Sequence, residues 1–344
     1  MNFSKTLINW YSIHKRSLPW RNTTNPYYIW LSEIILQQTQ VKQGWPYYEA
    51  FVTKYPSVFD LAEAKEQEVL NLWQGLGYYS RARNLHASAK YIANELDGVF
   101  PSTYKTIKEL KGVGDYTASA IASISFNEVT AVVDGNVYRV LSRVFGIETP
   151  INSTKGIKAF KLLAQELIDV KQPATFNQAI MDYGSQVCKP KQPMCTDCVF
   201  TTNCKAIQLD KVNELPLKLK KTKVTSKFFN FIVYLNGANK VVLEQRTTKG
   251  IWQNMYQFPL LETKEQTSYS RIVDHVSTVL SEENPEVYIY NETPLVHKLS
   301  HQHLNTTFWI VKSNFKGLSW IPIQDLKDYP VPVLINNFIN EFNF

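Results

Sequence analysis

The stretch Leu110 to Arg143, LKGVGDYTASAIASISFNEVTAVVDGNVYRVLSR, constrains the fold more than any other part of the chain. Gly112-Val113-Gly114 stands between two segments with helical patterning, Thr103 to Leu110 and Tyr116 to Phe126. The second is rich in small residues, Ala118, Ser119, Ala120, Ala122 and Ser123, which let helices approach closely. Gly112 and Gly114 permit backbone torsions that a Cβ disfavours. A hairpin of this kind aims free backbone N–H groups outward at the start of the second helix, a ready anion site. Asp134 then opens a further helix, Val137 to Phe145. On residues alone the stretch also reads as a Gly turn joining two core helices, with Asp134 as an N-cap.

The chain has 344 residues, which favours two domains. Its formal net charge of +7 suits a polyanionic partner. No basic start followed by an apolar run marks a secretory signal, and no apolar stretch approaches membrane-spanning length. The expected setting is a reducing bacterial cytoplasm.

Helical patterning is expected at Phe3–Lys15, from Pro26 to about Thr39, and at Trp45–Lys54, Val58–Glu63, Glu66–Leu72 and Arg81–Glu95. Residues 157–169 and 173–187 follow, and no strand is expected before residue 225. The helix from Pro26 is apolar over most of its circumference, so it should be buried. Glu33 sits in its middle. A carboxylate there is costly unless protonated or paired, so Glu33 either meets a buried Arg or carries a function. Between two of the helices, Gly75-Leu76-Gly77-Tyr78-Tyr79-Ser80-Arg81-Ala82-Arg83-Asn84 joins flexible glycines to aromatic and basic side chains. Such residues can wedge a base step and hold phosphates. The two tyrosines read equally as ordinary amphipathic residues at the edge of a core.

The four cysteines read Cys188-x6-Cys195-x2-Cys198-x5-Cys204. One short knuckle with longer flanking gaps favours a [4Fe-4S] cubane over zinc, the alternative. Lys189, Lys191 and Lys205 around that loop either face solvent or track a phosphate backbone. From Ala206 to Val224 the chain turns polar and basic, as a linker does. From Lys227 the period changes: Phe229, Phe231, Val233 and Leu235 alternate, Val241–Leu243, Val287–Tyr290 and Thr307–Val311 are strand candidates, and Tyr269–Ser281 reads as a helix. The second domain is therefore α+β.

The hairpin, the Asp after it and the cysteine spacing together resemble the helix-hairpin-helix DNA glycosylase superfamily of the endonuclease III type. Within it, Trp30-Leu31-Ser32-Glu33-Ile34-Ile35-Leu36-Gln37-Gln38-Thr39-Gln40-Val41, Leu18-Pro19-Trp20-Arg21, Gly75 to Leu85 and Asp134-Gly135-Asn136-Val137 resemble the MutY-type adenine DNA glycosylases. The likeness is dense over residues 5–205. It continues more weakly through 228–310, where Gly250-Ile251-Trp252-x4-Gln257-Phe258-Pro259 and Leu299-Ser300-His301 are similar to landmarks of that family's NUDIX-like domain. The implied architecture is a mostly α glycosylase domain at 1–205 with a [4Fe-4S] loop at 188–204, a linker at 206–224, and an α+β NUDIX-like domain at 225–344.

The resemblance implies excision of adenine mispaired with 8-oxoguanine or G in double-stranded DNA, by a monomer associated with the nucleoid and not with membrane. It implies Glu33 as general acid toward N7 of a flipped adenine, Asp134 stabilising the sugar cation, and Tyr116 and Asn136 supporting Asp134. Arg16, Trp20, Arg21, Leu36, Val41 and Gln178 would line the adenine pocket. Gln38, Leu76 and Tyr78 would fill or wedge the stack, and Ser300 and His301 would read 8-oxoguanine. Gly112 and Gly114 would meet a DNA phosphate, and Cys188, Cys195, Cys198 and Cys204 would hold the cluster.

Bifunctional endonuclease III enzymes carry a Schiff-base Lys where this chain has Tyr116, so a monofunctional enzyme is implied. The second domain has no NUDIX-box pattern, so binding without pyrophosphate hydrolysis is implied. The family commonly has Phe where this chain has Leu299. Two rival readings are an endonuclease III-like glycosylase for oxidised pyrimidines, disfavoured by Tyr116, and a non-catalytic DNA-binding protein, disfavoured by Glu33.

Overall fold

Polar residues at the segment boundaries start the helices. Asn2, Asn25, Thr103, Asp134 and Ser153 each accept a backbone N–H at a helix N-terminus. The computed structural model describes residues 2–219 and 224–344, so residues 220–223 of the expected linker lie outside the described residues. The helices are α1 (Phe3–His14), α2 (Pro26–Ile35), α3 (Val41–Lys54), α4 (Val58–Glu63), α5 (Glu66–Leu72), α6 (Ser80–Glu95), α7 (Tyr104–Ile107), α8 (Asp115–Phe126), α9 (Gly135–Phe145), α10 (Thr154–Leu167), α11 (Pro173–Gln186) and α12 (Lys205–Gln208). By contact the chain forms two units, residues 1–63 with 84–220, and residues 64–83 with 221–344. None of the described helices is long and apolar enough to cross a membrane.

In the first unit α2 and α11 pack on α8. The small side chains of α8 make this possible: Ala118, Ser119, Ala120, Ala122 and Ser123 are all buried. Polar contacts join these segments, Gln37 donating to Thr117 at 3.1 Å and Asn177 to Ser123 at 2.9 Å. Several expected boundaries move: α7 stops at Ile107 instead of Leu110, and α10 runs from Thr154 to Leu167 instead of 157–169. Helix α2 ends at Ile35, because the chain turns at Leu36 and Gln38 adopts a left-handed φ of 57°. Helix α3 begins at Val41 and carries Pro46 inside it.

Described strands begin only at Thr225. They are β1 (Thr225–Asn236), β2 (Lys240–Val242), β3 (Glu244–Gln245), β4 (Tyr256–Gln257), β5 (Leu260–Thr263), β6 (Val287–Ile289), β7 (Leu295–Lys298), β8 (Gln302–Lys312) and β9 (Trp320–Pro322), with helices α13 (Tyr269–Leu280) and α14 (Val333–Glu341). The sheet is built on a parallel β1–β8 pair, in register from Thr225↔Gln302 to Leu235↔Lys312. Strands β2 and β5 flank β1, while β6 and β7 flank β8.

Residues 229–234 of β1 are all buried, because both faces of the sheet are covered. On one side Ile232, Tyr234, Trp309 and Val311 pack against Ile272, Val276 and Leu280 of α13. On the other, Phe308 stacks between Phe231 and Phe338 of α14, at 5.4 and 4.1 Å.

Candidate active site

Glu33 stands in the last turn of α2, where it keeps only partial solvent access. Burial raises its carboxyl from 4.5 to about 7. A hydrogen bond with Tyr116 and the positive charge of Arg21 pull the other way, and nearby Asp134 adds to the rise. The Tyr116 hydroxyl also reaches the sulfur of Met181 at 3.2 Å. Its own pKa is raised well above 10 by burial and by the two carboxylates, so Tyr116 remains a neutral phenol. Glu33, Tyr116, Asp134 and Arg21 are thus brought together electrostatically.

Asp134 is both an N-cap and a member of this group. Its Oδ1 accepts from the N–H groups of Asn136 and Val137, at 2.9 and 2.8 Å, and its Oδ2 accepts from Asn136 Nδ2 at 2.7 Å. Burial raises the Asp134 carboxyl, against those three donors and Arg139, which favour the charged form. Arg139 ties the pair to the cysteine loop: it donates to Asn136 Oδ1 at 2.9 Å and to the carbonyl of Cys188 at 2.6 Å. The missing Cβ of Gly184 lets α11 approach Asn136 closely. A Cβ on Gly184 would lie 2.6 Å from the Asn136 Cβ.

The expected adenine-pocket residues divide. Arg16, Arg21 and Gln178 belong to one network centred on Asp182, whose side chain is fully buried. Arg16 and Arg21 both pair with Asp182, Arg21 also bonds the Tyr11 hydroxyl, and that hydroxyl donates to Gln178 at 2.8 Å. The Arg21 guanidinium near Glu33 is held by Asp182, which offsets part of its charge, and burial prevails at Glu33. Trp20 instead joins an aromatic cluster with Trp45 and Tyr48. Leu36 and Val41 are partly exposed, at the turn after α2 and the start of α3, and Gln38 is exposed.

Asp182, Tyr11, Met181 and Arg139 were not foreseen. Asp182 carries the same signal as Glu33, a lone acid in a segment otherwise buried and apolar around Ala179, Ile180 and Tyr183.

At the hairpin Gly112 has φ +80°, and a Cβ there would meet Asn84 at 2.8 Å, so glycine is required. The expectation for Gly114 is corrected. Its φ is −94° with ψ −178°, extended backbone open to any residue, and nothing crowds its Cβ position. It is the N-cap of α8.

All four cysteines are free thiols and line one apolar cavity of about 20 Å³ with Arg143 and Tyr183. Arg143 approaches the Cys188 sulfur at 3.5 Å and donates to the Lys189 carbonyl at 2.7 Å. The Tyr183 hydroxyl lies 2.9 Å from the Cys198 sulfur. Helix α1 roofs the loop, with Phe3 stacked on Phe200 at 4.8 Å. Among the described residues no three His, Cys, Asp or Glu side chains stand close enough to hold a metal ion as they are. The donor set nonetheless fits a cluster: four uncrosslinked thiols converge, and a buried guanidinium offers counter-charge to thiolates.

In the second unit Ser300 and His301 are exposed on the tight β7–β8 loop, which is closed by Leu299 N–H to the Gln302 carbonyl at 2.9 Å. With residues 75–80, Arg83, Lys227, Arg246, Lys249 and Trp252 they line a cavity of about 740 Å³. Tyr78 lies half exposed with φ +48°, its hydroxyl 2.8 Å from Ser300 Oγ. Leu76 is buried, its carbonyl accepting from Arg81 Nη2 at 3.3 Å.

Residues 31–165 match the HhH-GPD superfamily of base excision DNA repair proteins, and residues 230–341 match the NUDIX domain. The adenine DNA glycosylase of Buchnera aphidicola subsp. Baizongia pistaciae is 35% identical over 311 residues, 90% of this chain and 86% of that protein. That of Mus musculus is 46% identical over 215 residues, 60% of this chain and 42% of that one. Among solved structures, a thermostable thymine-DNA glycosylase is similar with TM-score 0.56 and 30% identity, over 60% of this chain and 95% of that one. An endonuclease III trapped as a covalent intermediate with DNA shares the fold, with TM-score 0.53 and 18% identity, over 60% of this chain and 94% of that one.

Proposed function

This chain belongs to the adenine DNA glycosylase family, and from that premise we propose that it excises adenine paired with 8-oxoguanine or G by hydrolysing the N-glycosidic bond, with Glu33 as the acid and Asp134 as the charge stabiliser. The protein is a DNA glycosylase of base excision repair, and its partner is double-stranded DNA. The observation that carries the catalytic reading is a carboxyl held near 7 by burial, grouped with a second carboxylate, a neutral phenol and an arginine.

Adenine leaves poorly as an anion, so a proton must reach N7 as the C1′–N9 bond breaks. A carboxyl with pKa about 7 still carries its proton on roughly half of the molecules near neutrality. The bond's electron pair departs with the protonated base, and the sugar becomes cationic. Asp134, fixed by three hydrogen bonds, stabilises that cation without having to reorganise. Water then adds at C1′ and loses a proton, which leaves an abasic site. The target base must leave the duplex to be reached, and Gln38, Leu76 and Tyr78 fill or wedge the stack it leaves. Arg16, Trp20, Arg21, Leu36, Val41 and Gln178 receive it. Gly112 and Gly114 meet a phosphate through backbone N–H groups.

No amine stands at Tyr116, so the enzyme is monofunctional. Cys188, Cys195, Cys198 and Cys204 hold a [4Fe-4S] cluster, which when bound crosslinks the loop that Arg139 joins to Asn136. In sequence, 1–205 is the glycosylase segment, 206–224 the linker and 225–344 the segment whose Ser300 and His301 read 8-oxoguanine, although by contact 64–83 belong to the second unit and 206–219 to the first. The enzyme acts as a monomer.

A strand-cleavage assay on an A:8-oxoguanine duplex, with and without alkali, tests the reading. Cleavage only after alkali is expected, with no adduct trapped by borohydride. Cleavage before alkali with an efficient trapped adduct would mean that a lysine does the chemistry.

A further inference from the structure

Residues 75–78 hold an improbable backbone. Gly75 and Gly77 have φ +97° and +70°, and Tyr78, which has a Cβ, follows at +48°. L side chains rarely adopt this conformation, and it persists where its surroundings over-determine it. One side chain meets more of this turn than its neighbours do, bonding two of its carbonyls and facing the Tyr78 ring. Arg81 is 7% exposed. Its Nη2 donates to the carbonyls of Leu76 and Gly77, at 3.3 and 3.2 Å. Its guanidinium lies 5.0 Å from the centre of the Trp73 ring and 5.7 Å from that of Tyr78. Trp73 reinforces it by donating Nε1 to the same Gly77 carbonyl at 3.1 Å. The outer end of Tyr78 is fixed separately, at Ser300.

We propose that Arg81 is a positioning residue for engagement of the mispair: stacked between Trp73 and Tyr78 and bonded to two carbonyls of the turn, it holds Tyr78 in the pose from which the ring enters the duplex. The inference rests on the reading that Tyr78 wedges the stack. A turn with two glycines has many alternative shapes, and each would be lost on binding. Fixing one shape beforehand removes that entropy from the binding step. Arginine suits the task because its planar fork stacks and bonds at once. Lysine is a point charge on a flexible stem and can do only one of these. Burial lowers Arg81 to about 10, still well above physiological pH, so the guanidinium remains charged.

The test uses the full chain and a duplex with 2-aminopurine opposite 8-oxoguanine, whose fluorescence rises when the analogue leaves the stack. Wild type, Arg81→Lys, Arg81→Met and Tyr78→Ala are compared, with melting temperature and matched-duplex affinity measured on the same preparations. Both Arg81 variants should lose at least tenfold in extrusion amplitude, while matched-duplex affinity stays within about twofold. Should the methionine variant not fold, the lysine variant decides alone. If Arg81→Lys extrudes within twofold of wild type while Tyr78→Ala does not, Arg81 is not the positioning residue and the wedge reading stands. If Tyr78→Ala itself extrudes normally, the wedge reading fails and the proposal falls with it.

Discussion

Replacing Glu33 by Gln removes a group whose pKa burial raises from 4.5 to about 7. Between those two values the folded chain keeps a proton that the unfolded chain has already lost. Stability is therefore fully present below 4.5 and declines as pH rises through about 7. The full span is worth on the order of 3 kcal/mol. Partial solvent access at Glu33 reduces it to about 2 kcal/mol. Gln does not titrate and escapes the penalty. The variant should match wild type or fall slightly below it at pH 5, and exceed it by about 2 kcal/mol at pH 8.5. For a domain of roughly 200 residues that is about 4–8 °C in Tm. Scanning calorimetry of both proteins at the two pH values, on the transition of the first unit, measures the difference. A difference between variant and wild type that does not change with pH refutes the reasoning. Destabilisation by Gln at both pH values would mean instead that Glu33 is an anion paired with Arg21.

Protein purified anaerobically should be brown and carry about four irons per chain; one zinc and no iron would contradict the cluster. Asp134→Asn should abolish turnover, losing on the order of 10²–10³-fold or more, because the cationic sugar loses its counter-charge; single-turnover rates check it. Ser300→Ala with His301→Ala should cost about 1–3 kcal/mol of preference for A:8-oxoguanine over A:G, read from the ratio of kcat/KM on the two duplexes.

Much of the first unit could be read in the chain, because several of its helices are set by local capping and by their apolar periodicity. Asp134 was legible as an N-cap, and it caps α9. Glu33 was legible because a single acid interrupts an apolar helix. The Asp182 network was not read, although the same signal was present, because its partners lie far along the chain at Arg16 and Arg21. The second unit was harder. Its organising β1–β8 pair joins segments separated by more than 70 residues, and local pattern carries no record of such pairing. The alternation of Phe229, Phe231 and Val233 matched a half-buried strand, yet Asn230, Ile232 and Tyr234 between them are also buried, since α13 covers the opposite face. Strands β5, β7 and β9 and helix α14 were not foreseen; the strands are only three or four residues long and form on their neighbours. Gly114 was over-read, since a glycine in a hairpin need not be there for its torsions.

The central claim is that Glu33 delivers the proton that lets adenine leave. Single-turnover release of adenine from an A:8-oxoguanine duplex, measured for wild type and Glu33→Gln with duplex affinity determined alongside, tests it most directly. The expected result is a variant that binds the duplex as wild type does and releases adenine at least ~10²–10⁴-fold more slowly. The wild-type rate should fall as pH rises through about 7, where Glu33 loses its proton. A variant that releases adenine at nearly the wild-type rate per folded molecule would contradict the claim.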